Sequence, residues 1–112
     1  MNQIYNDTHF RNALMSLKEH FSIKSAFLFG SRAKGAFKEG SDYDILFVIE
    51  KTDLTVLERM QKASRVLTNS GVSIPMDIFL YTADEFNKNK SRLDTIQEVA
   101  FTEGMELDLA QF

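Results

Sequence analysis

The chain has 112 residues, a formal net charge of −3 and no cysteine. Its length predicts one domain over residues 1–112. The missing cysteines exclude a disulfide framework, a thiolate zinc site and a cysteine nucleophile, and the acidic balance argues against nucleic acid as a direct ligand. The longest apolar run, Ile45–Ile49, is too short for a membrane span, and the polar first twenty residues are unlike a secretion signal. We therefore expect a cytoplasmic protein without a membrane partner.

The first predicted element is a helix over Asp7–Phe21. Its large apolar residues recur at intervals of four, three and four and therefore share one face. They are Phe10, Leu14, Leu17 and Phe21. Asp7 or Thr8 can cap the start of the helix, because their side-chain oxygens can accept a free backbone N–H. The aromatic-rich segment Ser25–Phe29 then predicts a strand that is buried on both faces.

A loop rich in glycine, lysine and serine is expected from Gly30 to Ser41. The second predicted strand follows over Tyr43–Ile49. Residues two apart in a strand point to the same side, so Asp42 and Asp44 begin one face. The rest of both faces is apolar, which is typical of a central strand.

A second long helix is predicted over Leu54–Asn69, where Thr55 and Glu58 have the spacing of a capping box. Its apolar stripe is expected at helical spacing. The stripe consists of Val56, Met60, Ala63 and Leu67. A third strand is predicted over Ile74–Tyr81 by the alternation of its side chains.

Two shorter helices complete the prediction. Thr82 and Glu85 form another capping-box pattern, which opens a helix that ends near Asn89. A last helix is expected over Arg92–Glu103, and the tail Met105–Leu109 is a candidate edge strand. Long connections between the strands favour a mixed sheet covered by helices, an α/β (α+β) fold.

The pair Gly30-Ser31 is the first candidate site, because it follows directly after a predicted buried strand. Glycine allows a sharp turn and a close approach of the backbone to a ligand. If Ser31 opens a short helix, its free backbone N–H groups would attract a phosphate. An ordinary strand-to-helix turn is the better explanation of an isolated Gly-Ser pair.

Asp42 and Asp44 are the second candidate site. Their carboxylates would stand side by side and repel each other unless a cation or a proton lies between them. Hard oxygen ligands of this kind suit magnesium or manganese. For an isolated Asp-x-Asp pair, two solvated aspartates at a turn and a strand edge are the better explanation.

Asp77 lies in the middle of the third predicted strand, between Met76 and Ile78. A buried carboxylate without a partner would cost on the order of several kcal/mol. If this strand lies beside the second, Asp77 can face Asp42 and Asp44, and the three carboxylates could hold two metal ions. The alternative is a salt bridge from Asp77 to a lysine or an arginine.

The order Gly30-Ser31, ten residues, then Asp42-x-Asp44 resembles the G-S-x10-D-x-D pattern of the polymerase-beta-type nucleotidyltransferases. The resemblance runs from about Ala26 to Tyr81. In its size, the chain looks like the minimal nucleotidyltransferases, the MNT antitoxins that pair with HEPN-domain toxins. The resemblance implies a mixed sheet with helices packed mainly on one side.

The resemblance also implies where the nucleotide binds. Gly30 and Ser31 would hold the triphosphate of the incoming nucleotide, which is ATP in the MNT group. Arg32 and Lys34 could neutralise phosphate charge, although they could equally be solvated loop cations.

For the metal ions, the resemblance implies that Asp42 and Asp44 bind two Mg2+ ions, with Mn2+ as a substitute. Asp77 would bind the catalytic ion and help to deprotonate an acceptor hydroxyl. That hydroxyl would attack the α-phosphorus of ATP, and pyrophosphate would leave.

The acceptor is expected to be a protein surface. About thirty residues follow the third predicted strand, too few to form a large acceptor pocket. In the MNT group the acceptor is a tyrosine hydroxyl of the HEPN toxin, so the resemblance implies a protein adenylyltransferase antitoxin in a hetero-oligomer with its toxin. Two alternatives stay open: nucleotidyl transfer to a small hydroxylated molecule, and a non-catalytic nucleotide-binding inhibitory subunit.

Overall fold

The computed structural model describes residues 3–35 and 42–112. Within these ranges, one sheet has the strand order β3-β2-β1-β4. Its strands are β1 (Ile23–Phe29), β2 (Tyr43–Ile49), β3 (Met76–Thr82) and β4 (Met105–Glu106). β1 pairs antiparallel with β2 and β4, whereas β2 and β3 pair parallel. The mixed sheet that the sequence predicted is confirmed.

One α-helix precedes each of the first three strands of the described ranges, and two α-helices lie between β3 and β4. The α-helices are α1 (Thr8–His20), α2 (Ser31–Lys34), α3 (Val56–Asn69), α4 (Ala83–Asn89) and α5 (Ile96–Glu103). The predicted tail strand is confirmed in its first two residues, which form β4, and Leu109–Gln111 is a 3-10 turn instead. Among the described residues, no helix combines the length and the apolar character that crossing a membrane requires.

The helix starts follow the capping signals of the sequence. Asp7 accepts a hydrogen bond from a backbone N–H in the first turn of α1. Complete capping boxes join Thr55 to Glu58 at α3 and Thr82 to Glu85 at α4. Each box satisfies backbone donors that the first turn of a helix would otherwise leave free.

The last helix is shorter than predicted. α5 begins at Ile96 rather than at Arg92, and Thr95 caps it by accepting the N–H of Glu98. Just before this cap, Asp94 has a left-handed φ of 67°. A left-handed residue cannot continue a right-handed helix, so the predicted start was wrong.

The buried face of α3 also differs from the predicted stripe. Met60 is 39% exposed, whereas Arg59 and Val66 are buried beside Ala63. Arg59 tolerates burial because its guanidinium pairs with Glu85 and donates to backbone carbonyls. A stripe of apolar residues misses a charged residue whose partners lie on other elements.

Both faces of the sheet are covered. On one face, alternate β2 residues such as Tyr43 and Ile45 join the core formed by α1 and α3. On the other face, Leu46 and Val48 pack in a smaller cluster with Phe86 of α4 and with α5. The alternation predicted for β2 is confirmed, and α4 and α5 add a second helix layer to the one expected.

Candidate active site

The strand register brings two of the predicted carboxylates together. The parallel pairing of β2 with β3 sets Asp44 opposite Asp77, and the antiparallel pairing of β1 with β2 sets Asp44 opposite Phe29. The N–H of Tyr43 donates to the carbonyl of Pro75 over 2.9 Å, which ties the starts of β2 and β3 to each other. Asp44 therefore lies at the start of a central strand, between the end of β1 and the start of β3.

The Asp44 carboxyl is in an environment that disfavours its charge. Burial raises its pKa, a side-chain hydrogen bond with Asp77 raises it further, and the negative charges of Asp77 and Asp42 act in the same direction. Two carboxyls can share a hydrogen bond only with a proton between them, and a cation in that place would relieve the same repulsion. Asp42 and Asp77 thus both disfavour the charged form of Asp44.

Asp77 was predicted to be buried, and the structure shows that this prediction was wrong. It is exposed on β3, an edge strand of the described sheet, so the expected penalty for a buried carboxylate does not arise. The ion pairs found in the described ranges are Lys34–Glu103 and Arg59–Glu85. A salt bridge from Asp77 to a lysine or an arginine is therefore not supported there.

The donor set is suited to a hard divalent cation, although the side chains are not arranged around one. Within residues 3–35 and 42–112, no group of three histidine, cysteine, aspartate or glutamate side chains is placed to enclose a metal ion. Two carboxyls that share a hydrogen bond lie closer together than two ligands on either side of an ion. The chemistry of Asp42, Asp44 and Asp77 fits Mg2+ or Mn2+, and their role as metal ligands stays a prediction.

Gly30 lies directly against Asp44. Its φ is 73°, and a Cβ at this position would lie 2.2 Å from Oδ2 of Asp44. Any other residue is therefore disfavoured both by the backbone conformation and by the space. Ser31 follows as the first residue of α2, so the predicted turn adjoins the carboxylates. The rest of the predicted loop, residues 36–41, lies outside the described ranges.

Arg32 and Lys34, the two cations predicted to neutralise phosphate charge, both contact other side chains. The guanidinium carbon of Arg32 lies 4.2 Å from the ring centroid of Tyr43. Nζ of Lys34 lies 3.3 Å from Oε1 of Glu103, and both side chains are about half exposed, at 60% and 49%. An exposed pair of this kind contributes little, so a ligand could compete for Lys34.

Asp7 has a role at this end of the molecule that sequence reasoning missed. The hydroxyl of Tyr43 donates to Oδ2 of Asp7, while Oδ1 of Asp7 caps α1. Burial would raise the pKa of Asp7, but the hydrogen bonds from Tyr43 and from the backbone outweigh it and lower the pKa. Burial and the contact with Asp7 raise the pKa of Tyr43 to about 12. No local pattern could reveal a contact across 36 positions.

Comparison with known proteins adds independent information. Residues 12–78 match the family model described as polymerase beta, nucleotidyltransferase. A solved structure from Sulfolobus solfataricus, named provisionally as a nucleotidyltransferase, is similar at 25% identity and a TM-score of 0.52, over 79% of this chain and 82% of that one. A solved toxin-antitoxin with AMP-PNP is similar at 20% identity and a TM-score of 0.56, over 86% of this chain and 69% of that one. No curated protein matches the chain.

Proposed function

The chain belongs to the polymerase beta nucleotidyltransferase family, and on that basis we propose that it transfers AMP from ATP to a tyrosine hydroxyl of a HEPN toxin. The observation that carries the proposal is the contact of Asp44 with Asp77 on one side and with Gly30 on the other. These parts of the family motif meet at one end of the sheet. The reaction is assigned to the cytoplasm, where ATP is made and used.

The phosphates of ATP bind at the turn between β1 and α2. Gly30 lets the backbone approach Asp44 closely, and Ser31 is the first residue of α2, where the backbone N–H groups point out of the start of the helix. Those N–H groups and the Ser31 hydroxyl donate to phosphate oxygens. Arg32 and Lys34 add positive charge next to this turn.

The carboxylates Asp42, Asp44 and Asp77 would hold two Mg2+ or Mn2+ ions. When bound, the ions neutralise charge on the phosphates and lower the pKa of the acceptor hydroxyl. The negative charges of Asp42 and Asp77 raise the pKa of Asp44. A divalent cation bound between the carboxylates would relieve this repulsion.

Asp77 takes up the proton of the acceptor, because it lies on an exposed edge strand where a second protein can reach it. The acceptor oxygen forms a bond to the α-phosphorus of ATP, and the bond from that phosphorus to pyrophosphate breaks. The products are the AMP-modified acceptor, pyrophosphate and a protonated carboxyl. The family match and the similar toxin-antitoxin structure support a toxin as the partner in a hetero-oligomer.

The test uses the chain, ATP, Mg2+ and a purified HEPN-domain protein as the acceptor. We expect the intact mass of the partner to rise by one AMP unit per transfer. Replacing Asp44 by Asn should slow transfer on the order of 10²–10³-fold, a typical loss for a group that stabilises transition-state charge. Asp53→Asn, which removes an exposed carboxylate elsewhere, is the matched control.

Other outcomes would support the alternatives. A partner that is silenced without a change in mass, and equally well by Asp44→Asn, would identify an inhibitory subunit without turnover. Label recovered on a small hydroxylated molecule, with no modified protein, would identify a small-molecule acceptor.

A further inference from the structure

Tyr43 connects the candidate phosphate turn to the rest of the fold. It lies between Asp42 and Asp44 in sequence, and its side chain points to the opposite face of β2 from Asp44. The residue is only 5% exposed. Its ring lies 4.9 Å from the ring of Phe10 in α1 and 4.2 Å from the guanidinium carbon of Arg32 in α2. One side chain thus joins α1, α2 and β2.

The hydroxyl of Tyr43 fixes the ring in place. It donates to Oδ2 of Asp7, whose other carboxyl oxygen accepts the N–H of Phe10 over 3.1 Å. A buried tyrosine with both its ring and its hydroxyl engaged has little freedom to reorient. The ring therefore offers Arg32 a rigid surface for a cation–π contact.

α2 is a short helix at the surface, and its Ala33 packs against the core formed by α1 and α3. It is four residues long, and none of those residues is buried. Lys34 at its end contacts Glu103 only through an exposed pair. Arg32 comes directly after Ser31, so the contact with Tyr43 restrains the turn itself.

We propose that Arg32 and Tyr43 are positioning residues: the Tyr43 ring holds the Arg32 guanidinium and thereby fixes the Gly30-Ser31 turn relative to Asp44. This inference rests on the proposed function and refines it. Arg32 acts through the turn, because its guanidinium is held on the face of β2 that lies away from Asp44.

A double-mutant cycle tests the proposal, with kinetics of AMP transfer and calorimetry of ATP binding as readouts. The variants are Tyr43→Leu, Arg32→Leu and the combination of both. Each should raise KM for ATP by about 10-fold, since a small displacement of a binding group is costly, while kcat stays within about twofold. The combined variant should be no worse than either single one, because both remove the same contact.

Two further variants serve as controls. Tyr43→Phe keeps the ring but loses the hydroxyl that fixes it, so KM should rise less than in Tyr43→Leu while the melting temperature falls. Arg65→Leu removes an exposed arginine of α3 and should change neither KM nor kcat. If Tyr43→Leu does not fold, Tyr43→Met provides a large side chain without a ring.

The outcomes separate this inference from the proposed function. Multiplying effects in the combined variant, or a far larger loss for Arg32→Leu than for Tyr43→Leu, would show that Arg32 acts through a contact other than the Tyr43 ring and would overturn the positioning role. If the wild-type chain transfers AMP and the variants show either pattern, only this inference is overturned. A wild-type chain that neither binds ATP nor transfers AMP overturns both.

Discussion

The two ends of β3 differ in whether their charged side chains are paired with opposite charges. At its start, Asp77 shares a hydrogen bond with Asp44, and both belong to a group of like charges. Just past its end, Arg59 of α3 and Glu85 of α4 form a pair of opposite charges, with Nη1 of Arg59 2.7 Å from Oε1 of Glu85. The same strand thus has an unbalanced charge cluster at one end and a balanced one at the other.

The balanced end needs no ligand. Arg59 also donates to the carbonyls of Leu54 and Leu80, at 3.0 and 3.1 Å. Burial would raise the pKa of Glu85, but the hydrogen bonds from Arg59 and from the backbone of Thr82 outweigh it and lower the pKa. The contrast shows that Arg59 and Glu85 neutralise each other within the protein, whereas the charges around Asp44 are not neutralised by an ion pair among the described residues.

The largest effect is expected from breaking the balanced end. Arg59→Met should lower the free energy of unfolding by about 2 kcal/mol, because the carbonyls of Leu54 and Leu80 lose a donor and the carboxylate of Glu85 keeps only the contact with Thr82. Urea unfolding followed by circular dichroism measures this change. Arg65→Met on the exposed side of α3 is the matched control. Equal stability of the two variants would show that the pair is not what holds α3 and α4 to β3.

A smaller effect of opposite sign is expected at the unbalanced end. Asp77→Asn should raise the melting temperature at neutral pH by about 2–4 °C in the presence of a chelator, because it removes a like charge next to Asp44. Differential scanning calorimetry checks this, with Asp53→Asn as the control for the change in net charge.

The same substitution has a defined pH dependence. Because the folded pKa of Asp44 is raised, ionisation of Asp44 opposes folding, and the wild type loses stability as pH rises through its titration. The Asp77→Asn variant should lose less stability over this pH range. The melting temperatures of the wild type and the variant should therefore converge in acid and separate towards neutral pH. A destabilised Asp77→Asn at neutral pH would instead assign Asp77 a structural pairing role.

The smallest effect is expected at the exposed pair of Lys34 and Glu103. Glu103→Gln should change the free energy of unfolding by no more than about 0.5 kcal/mol, because both side chains are largely solvated. Urea unfolding at low and at high salt measures it. A loss as large as that of Arg59→Met would mean that α2 and α5 depend on this pair for their packing.

Local signals predicted much of this fold. The capping boxes Thr55–Glu58 and Thr82–Glu85 involve residues only three apart, and both are present in the structure. The bounds of β2 followed from its apolar residues, which are uninterrupted from Ile45 to Ile49 and end before Glu50. Where the deciding interaction is within one turn or one strand, the sequence contains the needed information.

Contacts between distant residues account for what was missed. Arg59 is buried because of Glu85 and of carbonyls on other elements, and Tyr43 is fixed by Asp7. The exposure of Asp77 follows from the edge position of β3, which depends on the strand order. The spacing of Gly30-Ser31 and Asp42-x-Asp44 pointed to the site, whereas the positioning of Arg32 required the fold.

The parallel register of Asp44 and Asp77 has a consequence for how this chain folds. Two parallel neighbours need a crossover between them, here through α3, so the pair does not exist until that whole crossover is in place. A divalent ion that binds Asp44 and Asp77 only when they are side by side would bind the native chain and not the denatured chain. Such an ion would shift the folding equilibrium towards the native state by mass action, and a nascent chain that ends before β3 would gain nothing from it.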